Sequence, residues 1–249
     1  MVYNVYLSGG GVKGAFAYGF FKELLRVRPD FPIRRIYAVS IGSINALPIA
    51  ANRMDILAKY WEDEEGRHPF DLMVNTWDGD NHHVFNFLDK GSLFKSLKEE
   101  PFRELFNEVD VTMFRNKLIV ISYDKVKDKT VFTRCTSEEK ILHAIKSSSR
   151  YPGLFHSQDE DIIDGTFAVW NQVLRKKEGD KWLVIDLQNT MKLYPMDEFN
   201  DVKVYSPRIS RLPIVNEVTC LFTNRRLLNH LIRNGEDDAR KFITQSLIH

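Results

Sequence analysis

The sequence predicts an α/β fold with three layers (α/β/α), in which helices cover a mostly parallel central sheet. Residues 2–7 are a β-branched and aromatic run that ends in a serine and three glycines, which is typical of a buried strand entering a tight turn. A helical pattern, a short strand and a second helical pattern follow within the first fifty residues. Strands that alternate with helices in this way form parallel sheets with helices on their faces.

The first elements follow from local patterns. Residues 14–27 are predicted to form a helix that ends before two prolines. Its apolar stripe consists of Phe16, Phe20, Leu24 and Val27. Residues 35–39 form the second predicted strand, and residues 41–52 the second helix, which Pro48 is expected to kink or leave ragged.

The later elements are shorter apolar runs without a dividing linker. Further strands are predicted at residues 117–123, 130–134, 161–163, 182–187 and 202–205. Residues 216–247 read as two helices broken near Asn234 and Gly235. We therefore expect a single domain over residues 1–249, with residues 62–116 as an insertion between sheet elements.

Composition excludes several classes of protein. The 249 residues carry 35 Lys and Arg against 34 Asp and Glu, a net charge of +1, which argues against a dedicated nucleic-acid binder. A hydrophobic content of 43% argues against disorder, and no apolar run approaches the ~20 residues of a membrane span. Two cysteines, Cys135 and Cys220, and a start without signal-peptide features indicate reduced thiols in a cytoplasmic protein.

The first motif is a glycine loop between the first strand and the first helix. It contains Gly9, Gly10, Gly11, Lys13 and Gly14. Glycines allow close approach to the backbone, and free N–H groups at a helix N-terminus favour negative charge. The loop therefore suits a phosphate or an oxyanion.

The same loop matches the dinucleotide-binding fingerprint, but that pattern alone is weak. A dinucleotide site needs an acidic residue about 20 residues further on, at the end of the second strand. Asp30 has about this spacing but precedes that strand. A Walker phosphate loop is excluded, because Lys13 is followed by glycine rather than by serine or threonine. A nucleotide-binding α/β protein remains an alternative that tight NAD or ATP binding would favour.

The second motif places Ser40 between a strand and a helix, with small residues at Ala38 and Gly42. This is the pattern of a nucleophile elbow, whose tight turn requires small neighbours two positions away. A serine before a helix is also an ordinary N-cap. The carboxyl ends of parallel strands share one edge, so we expect the glycine loop and Ser40 to lie together.

The third motif is the turn of Asp164, Gly165 and Thr166 after a short apolar run. Asp-Gly is a common turn pair, which is the simpler interpretation. A serine nucleophile needs a base, and a carboxylate at the end of another strand would serve.

In this order the three motifs resemble the patatin-like phospholipase family. That family has a Gly-Gly-Gly-x-Arg/Lys-Gly loop, a Gly-x-Ser-x-Gly elbow and an Asp-Gly-Gly/Ala turn. The likeness extends to residues 91–94, 101–105 and 144–155 and to Asn171, and it covers residues 1–173.

The resemblance implies a serine acyl hydrolase that cleaves acyl esters of phospholipids or related lipids without a metal or cofactor. Ser40 would be the nucleophile and Asp164 the general base, without an intervening histidine. The oxyanion hole would consist of Gly9, Gly10, Gly11 and Gly14, with the N–H groups of Gly10 and Gly11 as donors. The supporting residues would be Lys13, Ala38, Gly42 and Gly165.

Three departures from the family pattern keep an alternative open. Ala38 replaces a glycine of the elbow, Thr166 a small residue after the aspartate, and Val173 a frequent proline. The last two motivate a catalytically inactive relative that binds lipid or a protein partner. Lys13 would either orient the loop or meet a substrate phosphate, or else reach solvent as a structural residue.

A Ser-His-Asp triad is the other catalytic arrangement to consider. In the α/β-hydrolase order only His230 and His249 follow Asp164. We expect His230 to be a partly buried helix residue and His249 a frayed terminus. His82 and His83 have no third ligand at useful spacing and are expected in a solvated loop.

The substrate would arrive from a membrane surface, with which the protein would make transient contact. Candidate contacts are the aromatic residues of the insertion, which would otherwise cap the core: Phe70, Trp77, Phe85, Phe87 and Phe94. The basic pairs are scattered, so no polybasic membrane anchor is predicted.

Overall fold

A computed structural model shows a mostly parallel sheet flanked by helices, which confirms the predicted three-layer α/β/α class. The structure describes residues 2–63, 73–75, 95–152, 161–168, 181–189, 201–208 and 224–246. The strands are β1 (Tyr3–Leu7), β2 (Ile33–Val39), β3 (Val74–Asn75), β4 (Ser96–Leu97), β5 (Leu118–Asp124), β6 (Lys129–Arg134), β7 (Ile162–Asp164), β8 (Lys181–Ile185) and β9 (Val202–Tyr205).

The structure describes six helices, and the sequence predicts the first, the second and the region of the last but not the three between them. They are α1 (Gly14–Val27), α2 (Ile41–Ala51), α3 (Met54–Trp61), α4 (Glu100–Glu108), α5 (Glu138–Ser148) and α6 (Arg225–Ser246). Short 3₁₀ turns occupy Gly11–Lys13, Val111–Phe114 and Gly165–Phe167. Helix α2 continues across Pro48 to Ala51.

The main sheet has the strand order β6-β5-β2-β1-β8-β9. The pairs β1–β2, β2–β5, β1–β8 and β8–β9 are parallel, whereas β6 and β7 both pair with β5 in the antiparallel sense. Strands β3 and β4 form a separate antiparallel pair. Successive residues of a strand point to opposite faces. Val5 and Leu7 accordingly join the main core with the helices, and Tyr6 joins a smaller cluster with Trp182.

Helix α6 corrects one prediction, because it runs unbroken through Asn234 and Gly235. Gly235 is there for close packing: a β-carbon on it would lie 2.1 Å from the Phe16 carbonyl oxygen of α1. Gly19 of α1 approaches the Ile232 carbonyl in the same way. The glycine that looked like a helix terminator therefore lets two helices touch.

Two further predictions concern the apolar stripe of α1 and the residues of the predicted insertion. Phe16, Phe20 and Leu24 are fully buried as predicted, but Val27 at the end of α1 is exposed. The aromatic residues proposed for membrane contact lie outside the described residues. Of residues 62–116, which the sequence predicts to be an insertion, the structure describes α4 and the β3–β4 pair among a few short segments.

Candidate active site

The sheet register brings Ser40 and Asp164 to the same place. Strand β6 occupies one edge of β5, so β2 and β7 must share the other edge. Strand β2 ends where Val39 pairs with Ile121, and β7 ends where Asp164 pairs with Ser122, the next residue of β5. The two strands run toward each other along β5, and the residues at their ends meet.

The backbone of Ser40 has the conformation expected of an elbow. Its φ is 52° and its ψ is −128°, a strained combination for a residue with a side chain. Gly42 permits the turn, because a β-carbon there would lie 2.4 Å from the Leu7 carbonyl oxygen. The Ser43 hydroxyl donates to the Ser40 carbonyl at 2.6 Å. Helix α2 thus starts against the end of β1, with Ser40 partly exposed at its tip.

Ser148, at the end of α5, braces this elbow from the other side. Its hydroxyl accepts the backbone N–H of Ser40 at 2.9 Å and donates to the Ile121 carbonyl at 2.5 Å. The Ile121 carbonyl also faces the turn after Asp164, because a β-carbon on Gly165 would lie 2.2 Å from it. One buried hydroxyl therefore connects the elbow to the strand that also carries the acid turn.

The glycine loop lies directly against the same two elements. A β-carbon on Gly9 would lie 3.1 Å from Ser40 Cβ and 2.7 Å from Thr166 Oγ1, so only glycine fits there. Gly11 has a φ of 55°, in the left-handed region that favours glycine. In the described part of the chain, the N–H groups of Gly10 and Gly11 donate none of the backbone hydrogen bonds found outside helices and strands.

The loop is fixed by strand β8 and by helices α1 and α2. The Ser8 hydroxyl accepts the N–H of Leu187 at 2.7 Å, which ties the loop to the end of β8. The Gly14 carbonyl accepts the side-chain amide of Asn45, whose oxygen in turn accepts the Trp61 indole N–H. The loop therefore has little freedom to move away from Ser40.

Lys13 is completely buried, which excludes the interpretation that it reaches solvent. Its Cε would lie 3.3 Å from a β-carbon on Gly10, so its aliphatic chain packs under the loop. This placement agrees with a role in orienting the loop rather than with an exposed contact to a substrate phosphate.

Asp164 is the most unusual ionisable group of the site, since it is wholly buried. Its Oδ1 accepts the N–H of Thr166 at 2.8 Å and the Thr166 hydroxyl at 2.6 Å. Its Oδ2 is buried without a full hydrogen bond among the described residues.

The pKa of Asp164 is raised to about 6, mainly because burial disfavours the charged form. Hydrogen bonds from Thr166 and a weaker interaction with the Ser40 hydroxyl lower this pKa in part. Ser40 thus lies close enough to lower this pKa slightly, although no bond between its hydroxyl and the carboxyl reaches full hydrogen-bond geometry among the described residues.

The other candidate groups of the sequence do not join this site. His230, expected to be partly buried, is exposed on α6, and so is His143 on α5. Cys135 is a buried free thiol whose pKa is raised to about 12 by burial, which makes it unreactive. Asn171, Val173, His82, His83, His249 and Cys220 lie outside the described residues. Among the described residues, no three metal-ligating side chains cluster together, and no helix combines the length and apolar character needed to cross a membrane.

Two contributors to the geometry had no role assigned from the sequence. Ser148 lies within a segment that resembled the family, but its bond to Ser40 spans 108 positions and depends on packing. The sequence shows Thr166 only as a departure from the family pattern. The tendency of Thr and Ser hydroxyls to bond to neighbouring groups in turns is the signal that points to its contact with Asp164.

Comparison with known proteins agrees with this architecture. The sequence matches the family described as "Patatin-like phospholipase" over residues 5–173. No curated protein matches the chain at a significant level. Among the solved structures that resemble it is VipD from Legionella pneumophila, with a TM-score of 0.48 and 12% identity. The match covers 98% of this chain and 67% of the VipD chain.

Another similar structure is a chain of the heterodimeric ExoU-SpcU complex from the type III secretion system of Pseudomonas aeruginosa. It has a TM-score of 0.50 and 14% identity, over 100% of this chain and 52% of that one. At 14% identity, the likeness to the chain from this complex concerns the fold alone. The chain spans about two thirds of the VipD chain and about half of the chain from the ExoU-SpcU complex.

Proposed function

Because the chain belongs to the patatin-like phospholipase family, we propose that it is a serine acyl hydrolase that cleaves acyl esters of phospholipids or related lipids. Family membership supports lipid acyl hydrolysis in general. The assignment of residues is carried by one observation: a strained, partly exposed serine meets a buried carboxylate that has one oxygen left without a full hydrogen bond.

In the proposed first step, Asp164 acts as the general base for Ser40. The Ser40 hydroxyl gives its proton to the carboxylate while Oγ forms a bond to the acyl carbon of the ester. The carbonyl electron pair moves onto the carbonyl oxygen, which becomes an oxyanion. In this proposal no histidine lies between the two groups, and the influence of Ser40 on the pKa of Asp164 supports their direct interaction.

The glycine loop would stabilise that oxyanion through the N–H groups of Gly10 and Gly11. A preorganised donor of this kind contributes about 3 kcal/mol to the transition state. Both groups lie on the loop that packs against Ser40 through Gly9. Lys13 supports the loop from below rather than binding the substrate.

Collapse of the intermediate expels the alcohol of the ester, which takes the proton back from Asp164. A water molecule then gives a proton to Asp164 while its oxygen bonds to the acyl carbon on Ser40. As the bond from this carbon to Ser40 Oγ breaks, Asp164 passes the proton to Oγ, which releases the fatty acid and restores both groups. The atoms balance as one ester and one water giving one acid and one alcohol, and no metal or cofactor takes part.

The base must be ionised at the start of each half-reaction. Since the pKa of Asp164 is about 6, kcat/KM should rise with pH through this region and level off above it.

The test is hydrolysis of phospholipid in mixed micelles, followed by release of free fatty acid. The wild-type protein should release fatty acid, and Ser40→Ala should lower the rate by at least about 10³-fold. Ser147→Ala is a matched control, because the Ser147 hydroxyl is buried and has no hydrogen-bond partner in the described part of the chain. Equal rates for wild type and Ser40→Ala would contradict the proposal.

A further inference from the structure

Thr166 holds the candidate base in a way that the family pattern does not provide. Where the resembled family has a small residue, this chain has a side chain whose hydroxyl lies 2.6 Å from Asp164 Oδ1. The backbone N–H of the same residue donates to the same oxygen at 2.8 Å. Both donors therefore act on one oxygen of the carboxylate, and Oδ2 accepts no full hydrogen bond within the described residues.

We propose that Thr166 is a positioning residue that anchors Oδ1 of Asp164 and so leaves Oδ2 as the oxygen that receives the proton of Ser40. This inference rests on the proposed function of Ser40 and Asp164. Two donors on one oxygen fix the rotation of the carboxylate about its Cβ–Cγ bond. In the proton transfer, Ser40 Oγ–H breaks, Oδ2–H forms, and the negative charge of the carboxylate is neutralised.

The hydroxyl of Thr166 is itself held in place by packing. A β-carbon on Gly9 would lie 2.7 Å from Thr166 Oγ1, so this oxygen fills the space between the glycine loop and the acid turn. Only a glycine at position 9 leaves room for it. The glycine loop, the base and its anchor therefore form one packed unit.

Charged groups on the neighbouring elements do not account for the state of Asp164. Those on β5 and at the end of α5 all have partners elsewhere: Tyr123 donates to Asp128, Asp124 accepts backbone N–H groups of its own turn, Lys146 pairs with Glu99, and Arg150 donates to the Ile162 carbonyl. The causes acting on the pKa of Asp164 are burial, the two bonds from Thr166 and the Ser40 hydroxyl.

This arrangement has a consequence for pH. Burial raises the pKa of Asp164, whereas hydrogen bonds donated by Thr166 stabilise the carboxylate and lower it. The Thr166 hydroxyl thus keeps the base ionised at a lower pH than burial alone would allow. Removing the hydroxyl should move the titration upward while leaving the backbone N–H bond in place.

The test compares Thr166→Val, which keeps the shape but loses the donor, with Thr166→Ser, which keeps the donor. Thr166→Ala also lacks the hydroxyl, so it replaces Thr166→Val if the valine variant does not fold. Thr244→Val is the matched control, since Thr244 is exposed on α6 and its hydroxyl donates to the Arg240 carbonyl, as expected of a hydroxyl on a helix surface. The Asp164 carboxyl is titrated by ¹³C NMR of protein labelled at aspartate, with Asp164→Asn to assign the signal.

We expect the Asp164 pKa to rise by about half a unit to one unit in the valine and alanine variants. The midpoint of kcat/KM against pH should rise with it, and the plateau kcat should fall several-fold with KM unchanged. The serine variant and the Thr244 control should behave as wild type.

An Asp164 pKa that is the same in wild type, Thr166→Val and Thr166→Ala would overturn the inference. A wild-type protein that hydrolyses no acyl ester would instead overturn the proposed function. The titration needs no substrate, so the two failures are distinguishable.

Discussion

The two sides of the candidate site are built in different ways. Ser40 follows the seven-residue strand β2, which lies between β1 and β5 in the parallel centre of the sheet and leads into the eleven-residue helix α2. Asp164 ends the three-residue strand β7, which is antiparallel, lies off the main strand path and leads into a single 3₁₀ turn.

The difference shows how each group is held. Ser40, the proposed nucleophile, depends on backbone geometry: a strained φ, a close approach at Gly42 and a hydrogen bond to Ser148. Asp164, the proposed base, depends on its burial and on hydrogen bonds from Thr166. Changes on the nucleophile side should therefore lower the rate at every pH, whereas changes on the base side should shift its pH dependence.

Among changes that leave Ser40 and Asp164 in place, the largest effect is expected from Gly42→Ala, on the Ser40 side of the site. The added carbon would lie 2.4 Å from the Leu7 carbonyl and 2.7 Å from the Ser8 carbonyl, so the elbow must move. A displacement of about 1 Å in a catalytic group can lower the rate ~10²-fold, and we expect a loss of this size at all pH values. Gly19→Ala is the control: it disturbs the packing of α1 on α6, and should lower Tm without lowering kcat of the folded protein. Wild-type kcat in Gly42→Ala would contradict the backbone account.

A smaller effect is expected from Ser148→Ala, which removes the brace but no reacting group. Loss of its bonds leaves the Ser40 N–H and the Ile121 carbonyl without this partner. A lost buried hydrogen bond costs about 1–3 kcal/mol, so kcat should fall roughly tenfold while KM stays unchanged. Steady-state kinetics beside Ser147→Ala test this. If Ser148→Ala and Ser147→Ala show the same kcat, the Ser148 hydroxyl does not position Ser40 for catalysis.

The smallest effect concerns stability and belongs to the base side. Asp164 has a pKa raised from 3.8 to about 6, so the folded state holds this proton more tightly than the unfolded state. Its contribution to stability is complete below the unfolded pKa and is lost as the pH rises to about 6. Asp164→Asn removes the buried charge, and should raise Tm by several degrees at pH 8 but little at pH 4. Thermal unfolding at both pH values measures this, and a lower Tm at pH 8 would argue against a buried charge.

Much of the fold was predictable because local sequence patterns mark its helices and strands. The bounds of α1 match the predicted residues, and the described strands of the main sheet lie within a few residues of the apolar runs. The motif residues Ser40 and Asp164 fall at strand ends, as predicted, because small and apolar residues mark those turns. The meeting of the two groups depends on the register of β2 and β7 along β5, which no local pattern encodes.

The features that the sequence did not reveal share one physical cause, which is tertiary packing. Gly235 has the local signature of a helix end, but contact with Phe16 makes it an interior residue of α6. The sequence left open whether Lys13 reaches solvent or supports the glycine loop, and only the fold shows that it is buried. The bond from Ser148 to Ser40 joins residues far apart in sequence. Each of these features depends on contacts between elements that are distant in sequence, and not on the neighbouring residues in the chain.

The most direct test of the central claim is covalent labelling with a fluorophosphonate, with the modified peptide located by mass spectrometry. The account predicts one adduct, on Ser40, whose rate of formation rises with pH through about 6 and falls sharply in Asp164→Asn. Ser40→Ala should not be labelled, and Ser147→Ala should be labelled as fast as wild type. Labelling that persists in Ser40→Ala, or a folded wild-type protein that takes no label, would contradict the account and favour a binding role.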